Sequence, residues 1–107
     1  MSVSKVTDSN YIAEVVNSAV PVLVDFSATW CGPCQRLAPT VHELAEECAG
    51  KYKVCEVDVD EAPGLVQKFR IMSVPTLVVM AEGEEVVRLV GGQSKEQLLA
   101  ALERAAK

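Results

Sequence analysis

Cys31 and Cys34 lie between an apolar run and an amphipathic run, and no other feature constrains the fold of this chain as strongly. The run before them, residues 21–26, is apolar except for one aspartate, as is typical of a buried central strand. The run after them repeats apolar residues at steps of three and four up to Cys48, as on one face of a helix. We therefore predict a strand-to-helix junction at the cysteine pair, a position where two thiols can close and reopen a disulfide.

The rest of the hydrophobic pattern predicts an α/β fold with the element order βαβαβαββα. Early βα units imply a parallel part of the sheet, and a late hairpin at Glu82-Gly83-Glu84 adds an antiparallel edge. Ser94 and Gln97 predict a capping box at the start of the last helix. Strands are predicted at residues 3–6, 22–26, 52–59, 76–80 and 85–90, and helices after Thr7 or Asp8, from Cys34 to Cys48, from Pro63 and from Ser94. The buried face of the first helix would carry Tyr11, Ile12, Val15, Val16 and Ala19.

Length and composition restrict the class of protein. At 107 residues, half of them apolar, the chain is predicted to form one globular domain over residues 1–107. The net charge of −5 argues against nucleic acid as a partner, and no apolar run reaches the roughly 18–20 residues that a membrane span needs. The first five residues lack the apolar segment of a secretory signal, so we expect a cytoplasmic protein, and we expect it to be a monomer.

The spacing of the two cysteines predicts different chemical roles for them. Unpaired backbone amides and the dipole at the helix N-terminus favour an anion at Cys31, which lowers its pKa and supplies a thiolate. Cys34 lies on the stripe that faces the core and is expected to stay protonated until it reacts. Cys31 would therefore attack a substrate disulfide, and Cys34 would then attack Cys31 and release the reduced substrate. Gly32 and Pro33 would fix the geometry between the thiols, because proline presets φ at the first turn and has no N–H to lose there.

Other interpretations of the cysteines remain open. The pair could be a static disulfide, which is rare in cytosolic chains. Zinc could be drawn between Cys31, Cys34, His42 and Cys48, but His42 follows Cys34 by eight helical residues, roughly 12 Å, which one tetrahedral site does not span. Cys48 and Cys55 are predicted to be buried apolar residues; the alternative is a second, regulatory disulfide or a glutathionylation site.

Six short segments follow one another in the chain: Val24-Asp25-Phe26, Trp30-Cys31-Gly32-Pro33-Cys34, Ala38-Pro39, Val57-Asp58-Val59-Asp60, Val74-Pro75-Thr76 and Val90-Gly91-Gly92. In sequence and spacing they are similar to the motifs of the thioredoxin family, and together they cover nearly the whole chain. The resemblance implies the thioredoxin fold, a five-stranded mixed β-sheet flanked by four helices. It also implies a general protein-disulfide reductase that needs no cofactor beyond its own Cys31–Cys34 disulfide. Such a protein donates electrons to oxidised target proteins and is re-reduced by a thioredoxin reductase.

The resemblance also implies a substrate-binding surface around the cysteines. Val74-Pro75 would be a cis peptide that faces the active site, and a substrate strand would pair with the backbone near Val74. Trp30, Val74, Gly91 and Gly92 would line a shallow apolar contact surface. On sequence alone, the two glycines could equally form a plain turn.

Asp25 is a charged residue inside an apolar strand. It could be a hydrogen-bonded turn or cap residue, or a buried acid with a raised pKa. By resemblance it would lie beneath Cys34 and act as the general base that takes the Cys34 proton, through water.

Three residues depart from the commonest pattern of the family. Ser27 stands where an aromatic residue is usual, so the packing behind the active site is in question. Gln35 stands where lysine or arginine is frequent, so one cation near the thiols is missing. Glu56 takes the place of a lysine that neighbours the buried aspartate. If Glu56 approaches Asp25, two carboxylates share a site, and we expect the pKa of one of them to be raised.

Two other functions compete with the reductase. The same fold could serve as a binding module with idle thiols, although such a scaffold needs neither cysteine. An isomerase would suit an oxidising compartment and a more oxidising active site. The electron donor could be a flavin reductase that uses NADPH or a reductase linked to ferredoxin.

Overall fold

The computed structural model of the chain describes residues 3–107. Five strands form one mixed sheet in the order β1-β3-β2-β4-β5; β1, β3 and β2 are parallel, and β4 and β5 are antiparallel to their neighbours. The strands are β1 (Val3–Lys5), β2 (Val22–Ser27), β3 (Lys53–Asp58), β4 (Thr76–Ala81) and β5 (Glu84–Val90). The helices in this part of the chain are a short π-helix (Ile12–Val16), α1 (Gly32–Glu47), α2 (Pro63–Phe69) and α3 (Lys95–Ala105). The predicted mixed sheet with four helices is confirmed, and none of these helices is long and apolar enough to cross a membrane.

The central strand β2 is buried on both faces, which explains why its residues are apolar almost throughout. Leu23 packs on the side of the sheet covered by α1 and α3, together with Leu44 and Leu98. Phe26 packs on the opposite side, where its ring centroid lies 5.4 Å from that of Phe69 in α2. Because successive side chains of a strand point to opposite faces, Asp25 points to the α1 side, like Leu23.

The prediction for the first helix is wrong in its cap and in part of its buried face, although Tyr11 and Val15 are buried as expected. Neither Thr7 nor Asp8 caps the π-helix, and Ile12 and Ala19 are exposed. The Asp8 carboxylate instead accepts hydrogen bonds from the backbone N–H groups of Gly64 and Leu65, at 3.0 and 2.9 Å. It thus satisfies two of the unpaired amides at the start of α2, whose own N-cap residue has no side-chain hydrogen bond.

Two local signals in the last third of the chain are confirmed. The Ser94 hydroxyl accepts from the backbone N–H of Gln97 at 3.1 Å, and the Gln97 side chain accepts from the backbone N–H of Ser94 at 2.8 Å. The β4–β5 hairpin turns on two residues, Glu82 and Gly83, with φ of 54° and 81°. A two-residue hairpin turn with both φ values positive matches the twist of its strands, so Glu84 belongs to β5 rather than to the turn.

Candidate active site

The cysteine pair lies where β2 passes into α1, as predicted. Cys31 is the N-cap of α1, and Gly32 and Pro33 form its first turn. Cys31 and Cys34 are joined by a disulfide, with their Cα atoms 5.3 Å apart. The backbone N–H of Cys34 also points at the Cys31 sulfur, at 3.2 Å. A sulfur at this position faces the positive end of the helix dipole, which stabilises it as a thiolate when the disulfide opens.

The expected difference in exposure between the two cysteines is small. Cys31 is 5% exposed and Cys34 is 3% exposed, and both pack against Ala28 with Val74 at the edge of the cluster. What separates them is position: Cys31 caps the helix, and its sulfur lies 3.7 Å from the carbonyl oxygen of Val74. Burial therefore does not distinguish the two cysteines in the disulfide form, whereas the contact with residue 74 does.

The residues expected to form a contact surface come together around this disulfide. The Val74–Pro75 peptide is cis, which confirms that prediction. The Pro75 carbonyl accepts a hydrogen bond from the N–H of Gly91 at 2.9 Å. Gly91 has φ of 88°, a conformation that favours glycine, and Gly92 lines a groove beside Pro33.

Trp30, which is also expected in this surface, immediately precedes Cys31 in the chain. Its side chain is 69% exposed, and its indole N–H donates to the Asp60 carboxylate at 2.8 Å. The side chains of Met72 and Val90 are also exposed. Sequence reasoning assigned no role to Asp60 or Met72. Trp30 and Asp60 are 30 residues apart, so no local sequence pattern indicates their hydrogen bond. Met72 lies between α2 and β4, where no periodic pattern of apolar residues applies.

Asp25 is a buried acid rather than a hydrogen-bonded cap. Its side chain is 3% exposed, and its Oδ1 atom has no hydrogen-bond partner in the described part of the chain. Burial raises the pKa of Asp25 to about 7, and the nearby charge of Glu56 adds to the increase. Glu56 is the residue of β3 that pairs with Asp25 of β2, so the two residues occupy adjacent positions of neighbouring strands.

A cleft of about 270 Å³ opens on the same side of the sheet and is lined by Glu56, the strand partner of Asp25. Ser27, two residues after Asp25, lines the cleft. Gln35 also lines it and donates to the Thr29 carbonyl at 3.3 Å. Within residues 3–107, the lining consists of Ser27, Ala28, Thr29, Gln35, Ala38, His42, Glu56 and Asp58. A cleft of this size with polar lining residues has room for water.

Replacing Glu56 by lysine should lower the pKa of Asp25, because it exchanges a repelling charge for an attracting one at the adjacent strand position. The pKa is measured by NMR titration of the Asp25 side-chain carboxyl carbon. Glu56→Gln, which only removes the charge, should give a smaller decrease in the same direction. An Asp25 titration that is identical in wild type and Glu56→Lys would show that the two carboxylates do not interact.

The other two cysteines lie in different cores. Cys48 packs on the α1 side of the sheet and Cys55 on the opposite side, and both are unpaired. Burial raises the pKa of Cys48, and it raises the pKa of Cys55 to about 11. Both are therefore buried, weakly reactive thiols, as predicted for apolar core residues. Within residues 3–107, no group of three or more His, Cys, Asp or Glu side chains is placed to hold a metal ion.

Comparison with known proteins agrees with this geometry. The family model described as Thioredoxin matches residues 2–104. The chain is 49% identical over 104 residues to a thioredoxin of Staphylococcus haemolyticus, covering 97% of this chain and 98% of the relative. It is 42% identical to a thioredoxin of Pyropia yezoensis, covering 97% of each, and 45% identical to one of Mycobacterium tuberculosis, covering 89% of this chain and 82% of the relative. The chain therefore belongs to the thioredoxin family, oxidoreductases that act on disulfides with their own redox-active cysteine pair.

Proposed function

We propose that this chain is a general protein-disulfide reductase in which Cys31 is the nucleophile and Cys34 the resolving cysteine. The observation that carries the proposal is the position of the Cys31–Cys34 disulfide, at the N-terminus of α1 and beside the carbonyl group of Val74. This arrangement combines a site that stabilises a thiolate with the backbone of Val74, at which an extended substrate can bind.

The first step is attack by the Cys31 thiolate on one sulfur of the target disulfide. The target S–S bond breaks, its other sulfur leaves as a thiolate and takes up a proton, and Cys31 becomes joined to the target in a mixed disulfide. The helix N-terminus supports this step because its amides and dipole favour the anionic form of Cys31. Gly32 and Pro33 hold the first turn in place, with Cys34 next to the sulfur that it must attack.

In the second step Cys34 loses its proton and attacks the Cys31 sulfur. The mixed disulfide breaks, the second target sulfur leaves as a thiolate, and two electrons have passed from the pair to the target. Asp25 acts as the general base for this proton, through water. Its pKa of about 7 supports the role, because a base with this pKa exchanges protons readily near neutral pH.

The target binds over the surface formed by Trp30, Val74, Pro75, Gly91 and Gly92. A substrate strand pairs with the backbone at Val74, which brings its sulfur to Cys31. The exposed Trp30 indole supplies apolar contact area, and its hydrogen bond to Asp60 fixes the orientation of the ring.

The protein acts as an electron carrier in the cytoplasm, as a monomer, and serves cell redox homeostasis. Members of the family are generally reduced by a thioredoxin reductase and act on disulfide substrates. A thioredoxin reductase therefore regenerates the dithiol of this chain after each round. Oxidised proteins are its targets.

Reduction of insulin disulfides by dithiothreitol, followed by turbidity, tests the proposal. Wild type should accelerate the reaction strongly at catalytic concentration. Cys48→Ala is a matched control, since it removes a thiol that lies away from the site, and should accelerate the reaction equally. Folded wild type that gives no acceleration would refute the reductase and favour a binding module, to be tested by looking for a partner held regardless of redox state.

A further inference from the structure

The guanidinium group of Arg36 lies over the first turn of α1. Arg36 follows Gly32 by four residues, so the two share one face of the helix. A methyl group in place of the Gly32 hydrogen would lie only 3.4 Å from Nη1 of Arg36. The side chain therefore reaches back over the turn that joins the two reactive cysteines, which is the usual direction for a long side chain on a helix.

Arg36 also lines a groove of about 410 Å³ that begins at this turn. One wall consists of α1 residues, and the other consists of the segment after β5. The lining residues are Pro33, Arg36, Leu37, Thr40, Gly92 and Gln93. Because Gly92 belongs to the proposed substrate surface and Pro33 to the turn between the cysteines, a peptide bound at Cys31 has its neighbouring residues within reach of the groove.

The charge of Arg36 is not balanced by a salt bridge in the part of the chain that the structure describes. In residues 3–107, the salt bridges use Lys5, Lys53, Arg88 and Lys95, and Arg36 takes part in none. None of the six lining residues of the groove carries a carboxylate. The chain as a whole has a net charge of −5, so this groove is a local exception in an acidic molecule.

We propose that Arg36 is a specificity-determining residue, which binds an aspartate or glutamate side chain next to the reactive cysteine of the target. The inference rests on the proposed reductase function and names the targets that this site prefers. A guanidinium group forms paired, charge-assisted hydrogen bonds with a carboxylate, and the Thr40 hydroxyl in the same groove offers a further donor. Targets with an acidic residue beside the disulfide are then reduced faster than neutral ones.

The test uses two synthetic peptides, each closed by an intramolecular disulfide, which differ only in Glu or Gln beside one cysteine. The second-order rate constant for their reduction by fully reduced protein is measured by stopped-flow fluorescence of Trp30. For each protein, the rate constant for the Glu peptide is divided by the rate constant for the Gln peptide. This ratio is then divided by the same ratio measured with dithiothreitol, because the acidic residue alters the intrinsic reactivity of the peptide disulfide. The corrected ratio reports recognition by the protein.

We expect a corrected ratio of about three to ten for wild type, falling towards one at high salt. The ratio should be about one for Arg36→Gln and below one for Arg36→Glu. Arg36→Lys, which keeps the charge but loses the paired geometry, should retain part of the preference. Arg104→Gln is the matched control: it removes one positive charge, as Arg36→Gln does, but in the last turn of α3. This variant should behave as wild type.

A wild-type ratio of one would overturn the proposal. So would an Arg36→Gln variant that is slower towards both peptides by the same factor, because the arginine would then act on the Cys31 thiolate instead of on the target. These results differ from a wild type that reduces neither peptide, which would refute the reductase function itself and the subsite with it.

Discussion

Replacing Cys31 by serine should reduce the rate of insulin reduction to the rate that dithiothreitol gives alone. A serine hydroxyl does not ionise near neutral pH and forms no disulfide, so neither the attack nor the mixed disulfide remains possible. The serine can still accept the hydrogen bond from the N–H of Cys34, so the N-cap of α1 and the fold should persist. Circular dichroism of the variant checks that the loss is chemical.

Cys34→Ser should give a different result from the same assay. Its Cys31 thiolate still attacks the target, but nothing resolves the product, so a covalent complex with the target accumulates. Mass spectrometry should locate the bond at Cys31, and dithiothreitol should release the target. If Cys31→Ser traps the target and Cys34→Ser does not, the two roles are reversed. Activity of Cys31→Ser close to that of wild type would exclude it as the nucleophile.

The sequence predicted those parts of the fold that depend on local patterns. The apolar run in β2 and the capping box at Ser94 are set by neighbouring residues, and both are found where expected. The role of Asp8 could not be predicted, because its partners Gly64 and Leu65 follow it by 56 and 57 residues. Near its own helix, a carboxylate gives the same local signal whether it caps that helix or a distant one.

The candidate site also has features that the sequence predicted and features that it could not. A single aspartate in an apolar strand could be a cap residue or a buried acid, and the resemblance to a family supplied its place beneath Cys34 and the position of Val74-Pro75 beside the cysteines. Helical spacing placed Cys31 off the buried stripe, but contacts with Ala28 and the segment near Val74 cover it nonetheless. The reach of Arg36 over the first turn of α1 depends on side-chain conformation, which residue spacing does not specify.

The burial of Asp25 makes the stability of the folded chain depend on pH. An ordinary aspartate has a pKa of 3.8, which applies to the unfolded chain, whereas the pKa in the folded chain is about 7. Between these values the folded chain keeps a proton that the unfolded chain releases, so the free energy of unfolding falls as the pH rises. The loss is complete above about pH 7 and amounts to about 4 kcal/mol, from 1.36 kcal/mol for each pH unit between the two values.

Asp25→Asn should remove this dependence. The amide is neutral at every pH, so the variant should be about 4 kcal/mol more stable than wild type at pH 8 and similar to it near pH 4. The measurement is urea unfolding of the oxidised protein at several pH values, which keeps the cysteines from titrating. Glu103→Gln removes an exposed carboxylate and should follow wild type throughout. A difference between wild type and Asp25→Asn that stays constant from pH 4 to pH 8 would mean that Asp25 ionises in the folded chain as readily as in water.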